Sequence, residues 1–250
     1  MKHLHIIAIL FLTMLSFGVN PVLKNTSKNV SKTENIKAFD HTIWNDLLQK
    51  HVSTEGLVDY KGFKIDIKKL SNYITVLSEN TPIDSWKKEE KLAYWINAYN
   101  ALTIDLILQN YPVKSVKDIK DPWNQKLWNL GGKDYNLNEI EHDILIKMDE
   151  PRIHFAIVCA SYSCPKLQNK AFTASNIDAQ LNHATKAFLN DDSRNTITQN
   201  HLELSKIFQW FTKNFKQNGS LIDFLNQYSN VKISEKAKTS FKDYNWDLNE

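Results

Sequence analysis

The sequence predicts an α+β fold in which a buried central helix is surrounded by further helices packed on short, mostly antiparallel strands. Three observations predict it. Residues 92–108 are apolar almost all round, with only Asn97, Asn100, Thr103 and Asp105 clearly polar, the pattern of a helix enclosed by protein. Several other segments place apolar residues at helical spacing along one face. Between them lie short runs of β-branched and aromatic residues bounded by turn residues, Gly131-Gly132 being the clearest. Helices mixed with short hairpins, without a regular alternation of strand and helix, make an α+β chain.

In chain order, residues 39–52 read as a helix, with Phe39, Ile43, Trp44, Leu47 and Leu48 on one face. Gly56 to Tyr60 is a short extended connection. Residues 64–77 form a second helix, and Thr81-Pro82 stops it, with Ser85 available to cap the next helix. The central helix ends at Tyr111-Pro112. A hairpin spans 127–136, and Asn138 opens a helix with Glu141 three residues on. Residues 152–159 are expected as a strand, 161–173 as a loop and 177–189 as a helix. A second hairpin at 196–204, helices at 208–215 and 221–228, and a terminal strand at 241–246 complete the chain.

The beginning of the chain points to export. Lys2, an apolar run over residues 6–15 and Ser16-Phe17-Gly18 have the three-part layout of a secretory signal peptide over residues 1–18. The run is too short to span a bilayer. Residues 19–37, rich in Asn, Ser, Thr and Lys, bury too little apolar surface to offset their ordering entropy and read as a flexible leader. The expectation is one globular domain over 38–250, exported to the periplasm or secreted, soluble, with no transmembrane segment in the mature chain. With no cysteine near the cleavage region it is not expected to be a lipoprotein. Seven Trp, nine Tyr and twelve Phe suit a well-filled interior. A net charge of +3 from scattered lysines gives no nucleic-acid footprint. No glycine-rich phosphate loop is present and no cofactor is expected.

The residues able to carry chemistry fall in a few segments: Tyr94-Trp95-Ile96-Asn97-Ala98-Tyr99-Asn100, Ile140-Glu141-His142, His154 to Ser161 followed by Ser163-Cys164-Pro165, and the tail Tyr244 to Asn249. In this order and spacing they resemble the family known as domain of unknown function 547, from about Val58-Asp59-Tyr60 to the end. The resemblance implies no particular activity, so the residues are read for themselves.

A thiol nucleophile needs a base beside it and a group to orient that base. Cys159 is the candidate nucleophile, with His142 or His154 as base and Glu141, Asn97 or Asn100 to orient or assist. On an ideal strand, alternation puts His154 and Cys159 on opposite faces, which favours His142. A buried helix beside a histidine-bearing strand is similar, distantly and at fold level only, to papain-like and transglutaminase-like enzymes. Those set a cysteine at the helix start where this chain has Asn97.

The same residues support a structural reading. Cys159 and Cys164 are spaced to close a disulfide in an oxidising compartment. Asn97 and Asn100, three apart on one helix face, suit a buried amide network. Glu141 suits a capping box with Asn138, and His154 suits a satisfied core histidine. Neither paired Cys-x-x-Cys nor His-x-x-x-His spacing is present, so no metal site is expected. Two functions remain open: a disulfide-stapled binding or structural module of the cell envelope, or a thiol hydrolase or acyl-transfer enzyme. The partner is unknown in either case.

Overall fold

In the computed structural model, residues 38–250 are described, so the expected signal peptide and leader lie outside the described residues. Helix α1 (Thr42–His51) begins where the Asp40 carboxylate accepts hydrogen bonds from the Thr42 amide and hydroxyl, at 2.9 and 2.6 Å. The helix expected over 64–77 is in fact two. Asp59 accepts the Gly62 amide at 2.8 Å and starts α2 (Tyr60–Ile65), and α3 (Ile67–Glu79) follows after Asp66. Asp66 sits at the break with its carboxylate bonded to Lys50 and His51 of α1, at 2.6 and 2.8 Å.

The central helix α4 (Lys88–Asn110) starts with the Glu90 carboxylate accepting the Lys87 amide at 2.8 Å, while Ser85 lies in the preceding turn and does not cap it. From Leu92 to Leu108 every side chain but that of Asp105 is buried. Helices α2 and α3 pack against α4, as does the chain around residues 139–145. Asp105 accepts the Trp128 indole N–H at 2.7 Å and so ties α4 to the first hairpin. That hairpin pairs β1 (Trp128–Leu130) with β2 (Lys133–Tyr135) antiparallel. Its turn residues Gly131 and Gly132 have φ of +60° and +84°, a geometry glycine adopts without steric cost.

The stretch expected as a strand over 152–159 is not one. Pro151–Phe155 forms a tight 3-10 turn with proline at its start, and the Ile153 carbonyl accepts the Ala156 and Ile157 amides at 2.8 and 3.0 Å. The extended residues after it pair with a side chain instead of a neighbouring strand. Asn100 donates to the Ala156 carbonyl (2.9 Å) and accepts from the Val158 amide (2.9 Å). Asn97 does the same one turn away, donating to the Phe172 carbonyl (2.7 Å) and accepting from its amide (3.0 Å). Each buried amide thus supplies the donor and acceptor that a β partner would supply, which is why a β-rich sequence adds no strand here.

After α5 (Ile177–Leu189), β3 (Thr196–Ile197) and β4 (His201–Leu204) form the second hairpin. Helices α6 (Lys206–Trp210) and α7 (Thr212–Phe215) replace the single helix expected over 208–215, and α8 (Leu221–Asn226) follows. Strand β5 (Lys238–Phe241) adds parallel to β4 and ends where the terminal strand was expected to begin. The chain beyond it turns aside and lies along the loop after Cys159. There the Tyr162 amide donates to the Asp247 carbonyl (2.6 Å), and the Asn249 amide to the Ala160 carbonyl (3.2 Å).

Two apolar clusters result. One surrounds α4; the other is a phenylalanine cluster in which Phe155, Phe208 and Phe215 pack with ring centroids 5.1 to 5.6 Å apart. Residues 153–158 join them, with Ile153, Ala156 and Val158 in the first and Phe155 in the second. The architecture is α+β. No helix among the described residues is long and apolar enough to cross a membrane.

Candidate functional site

Where the turn carrying His154 meets α4 and α6, a cavity of about 310 Å³ opens. Tyr99, Trp123, Trp210, Phe211, Tyr244 and Trp246 supply its aromatic walls, and Glu141, His142, His154 and both cysteines reach it as well. Four sequence candidates (Cys159, His154, His142 and Glu141) therefore share one site. Asn97 is not among its lining residues, being occupied with the Phe172 backbone.

Glu141 comes to the cavity through an unusual local winding. Asn136 accepts the Glu139 amide at 2.7 Å, and Glu139 accepts the Asn136 amide at 3.3 Å, so the capping box belongs to these two and not to Asn138 and Glu141. Residues Glu139–Leu145 then wind as a π-helix, a form that recurs at functional sites. Freed of the cap, the Glu141 carboxylate accepts the Tyr99 hydroxyl at 3.2 Å. The protein packed around it removes solvation from the charged form and pushes its pKa up to about 7, against which the Tyr99 hydrogen bond acts weakly. Burial raises Tyr99 too, with the Glu141 charge adding to the effect. His142 stands exposed at the rim.

His154 shares the cavity wall with Ile157, three residues along the chain, and with Cys159. The alternation expected of a strand, which would have put His154 and Cys159 on opposite faces, fails because this segment takes the turn and the Asn100 clamp. The ring is only 3% exposed and stacks on Phe211 with centroids 3.8 Å apart. Its Nε2 lies 3.3 Å from the Asn214 carbonyl oxygen, so that nitrogen carries the hydrogen and donates. Nδ1 is then a buried acceptor with no hydrogen-bond partner among the described residues. Burial drives the pKa down to about 3, with Asn214 opposing and His142 assisting, and the imidazole is neutral at physiological pH.

Cys159 and Cys164 form a disulfide, with Cα atoms 6.3 Å apart. Cys159 is partly exposed, whereas Cys164 is 3% exposed. Cys164 Sγ receives the Cys159 amide at 3.1 Å and the Tyr244 hydroxyl at 3.2 Å. Ala160, between the cysteines, has φ +62°, a left-handed conformation that costs a non-glycine residue about 1 kcal/mol or more. The C-terminal segment fixes this loop in place. Its rings also complete the wall: Tyr244 and Trp246 lie 4.6 Å apart, and Trp210 packs on them at 4.8 and 5.7 Å.

Residues 83–189 match the model of the family described as "Protein of unknown function, DUF547". Over this span the chain resembles that family. No curated protein and no solved structure matches the chain. The DUF547 span holds α4, the π-helical stretch, the His154 turn and the disulfide. It is shorter than the reach of the resemblance read from the sequence, and Trp210, Phe211, Asn214, Tyr244 and Trp246 lie beyond it.

Several of the residues that shape the site carry no chemical signal in the sequence. Tyr99, Tyr244 and Trp246 stand inside the segments singled out, but the sequence gives them no role of their own. Trp210, Phe211 and Asn214 stood in segments read only as helices; the aromatic pair Trp210-Phe211 interrupting a short helix was the available signal. Among the described residues, no group of three or more His, Cys, Asp or Glu side chains is placed to hold a metal ion.

Proposed function

We propose that the protein is an exported binding module whose ligand occupies the aromatic cavity. The observation that carries this reading is His154 Nδ1, a buried acceptor without a partner on a residue of the cavity wall. An unpaired buried acceptor costs roughly 1–3 kcal/mol, and a ligand donor that reaches it recovers that cost on binding. The cavity volume, about 310 Å³, lies at the small end of the range for ligand sites. Its rings favour a ligand with a flat or apolar body, and Nδ1 and Glu141 favour one bearing a hydroxyl or amine. The disulfide supports export, since such bonds persist in oxidising compartments.

The thiol-hydrolase reading has less support. It needs a free thiolate beside a base, and both cysteines are bonded to one another. Asn97, another group assigned to that chemistry, holds backbone away from the cavity.

Tryptophan fluorescence tests the binding reading. A panel of small ring alcohols and ring amines is titrated into the full chain, and quenching is expected from Trp210 and Trp246. The response should be lost in Trp210→Ala. If no compound quenches, or Trp210→Ala responds like the parent, the cavity is not a ligand site.

A further inference from the structure

The disulfide bears on the cavity in a way that simple stapling does not require. Both cysteines line the cavity, and they are not equivalent. Cys159 is the more accessible, while Cys164 is almost fully enclosed and its sulfur receives the Cys159 amide; the Tyr244 hydroxyl lies 3.2 Å from Cys164 Sγ and 3.4 Å from Cys159 Sγ. A neutral disulfide sulfur is a weak acceptor, but a thiolate is a strong one, so these two donors serve a charged Cys164 far better than a bonded one. They are placed where negative charge develops when the bond opens, as preorganised donors are in acyl transfer.

We propose that the site exchanges its disulfide with a thiol ligand whose apolar body rests on Trp210, Tyr244 and Trp246. The ligand thiol first loses its proton to solvent. Its thiolate attacks Cys159 Sγ, a new ligand–Cys159 disulfide forms, and the Cys159–Cys164 bond breaks with its electron pair going to Cys164 Sγ. The Cys164 thiolate is held by the Tyr244 hydroxyl and the Cys159 amide. A second ligand thiolate can then attack the ligand sulfur of the mixed disulfide, releasing the ligand's own disulfide and the Cys159 thiolate. The net change oxidises two ligand thiols to one disulfide and reduces the cysteine pair. This inference rests on the binding reading, because the ligand's apolar body is what directs it to the cavity.

The test compares 2-phenylethanethiol with 2-mercaptoethanol, two alkyl thiols that differ in their apolar body. Their rates on the full chain are each normalised to the same thiol acting on a small linear disulfide. After acid quenching and alkylation, mass spectrometry should find the adduct on Cys159 and the alkylated free thiol on Cys164. The normalised rate should favour the phenyl thiol by about tenfold or more, the value of burying one ring. Tyr244→Phe keeps the ring and should slow exchange by at least about tenfold, as loss of a hydrogen bond to a charged group predicts. An adduct on Cys164, equal normalised rates, or exchange no faster than in the urea-unfolded chain would each overturn the proposal. Binding of 2-phenylethanol, which has no thiol, separates the two readings. If the alcohol binds and exchange fails, the cavity is a ligand site without exchange chemistry; if the alcohol does not bind and the two thiols react alike, both readings fall.

Discussion

Two polar regions beside helix α4 differ in one respect: whether their hydrogen bonds are complete. Asn97 and Asn100 are fully buried among apolar side chains, yet each both donates to and accepts from backbone. Nothing there is left for a ligand. In the cavity, Glu141 and His154 are also withdrawn from solvent, but His154 Nδ1 has no partner and both groups are pushed toward their neutral forms. Burial of polar groups on one scaffold therefore serves two ends. Where the pairing closes, it fixes the fold; where it does not, it leaves a site.

The largest effects should come from opening the clamps. Asn97→Leu and Asn100→Leu each leave one carbonyl and one amide buried and unpaired, and each should cost roughly 1–3 kcal/mol of unfolding free energy. Urea midpoints check this. A midpoint at or above the parent's for either variant would erase the contrast between the two regions. Asn100→Leu should also weaken ring-alcohol binding, since the 156–158 backbone it holds leads into the cavity wall. Asn97→Leu should leave binding intact.

Glu141 sharpens the contrast through pH. Its folded pKa of about 7 stands above the ordinary value of 4.5, so the folded state holds the proton more tightly than the unfolded one. That contribution to stability is fully present below 4.5 and is lost as pH rises through 7. His154 has the opposite sign: its pKa of about 3 lies below 6.5, so stability is lost as pH falls from 6.5 toward 3. Glu141→Gln removes the first effect alone. Relative to the parent, the variant should gain stability between pH 4.5 and 7, by up to roughly 3 kcal/mol. A constant difference across that range, followed by thermal or urea unfolding, would place the carboxyl in ordinary solvent.

The smallest effect belongs to Tyr99→Phe. Losing one hydrogen bond to Glu141 should cost roughly 0.5–1.5 kcal/mol and raise the Glu141 pKa further. A carboxyl titration followed by NMR reads the direction, and a fall would show that Tyr99 does not act on Glu141.

The sequence made the apolar helices legible because their pattern is periodic. Ile177–Leu189 matches the expected helix, and the Gly131-Gly132 hairpin needed only its two glycines. Elements decided by distant polar groups were not legible. Residues 152–159 carry β-branched residues and read as a strand, but the partner of residues 156 and 158 is the Asn100 side chain, 56 and 58 positions earlier, which no local pattern encodes. The break at Asp66 and the parting of α6 from α7 at Phe211 are equally invisible, because the apolar period runs through both. At the site, the titratable residues were legible as types, and four of them meet. Their aromatic enclosure was not, because Trp210 lies in a segment that reads only as helix, and nothing local in the tail shows that Tyr244 and Trp246 fold back beside it.

The most direct test is the imidazole of His154 itself, observed through its 15N chemical shifts in the free protein and with a bound ring alcohol. The hydrogen is predicted on Nε2, with Nδ1 bare and neutral from pH 8 down to pH 4, because the pKa lies near 3. Binding should then shift Nδ1 upfield as it accepts a hydrogen bond, with little change at Nε2. An imidazole that titrates near the ordinary 6.5, or an Nδ1 that carries the hydrogen before ligand is added, would contradict the account.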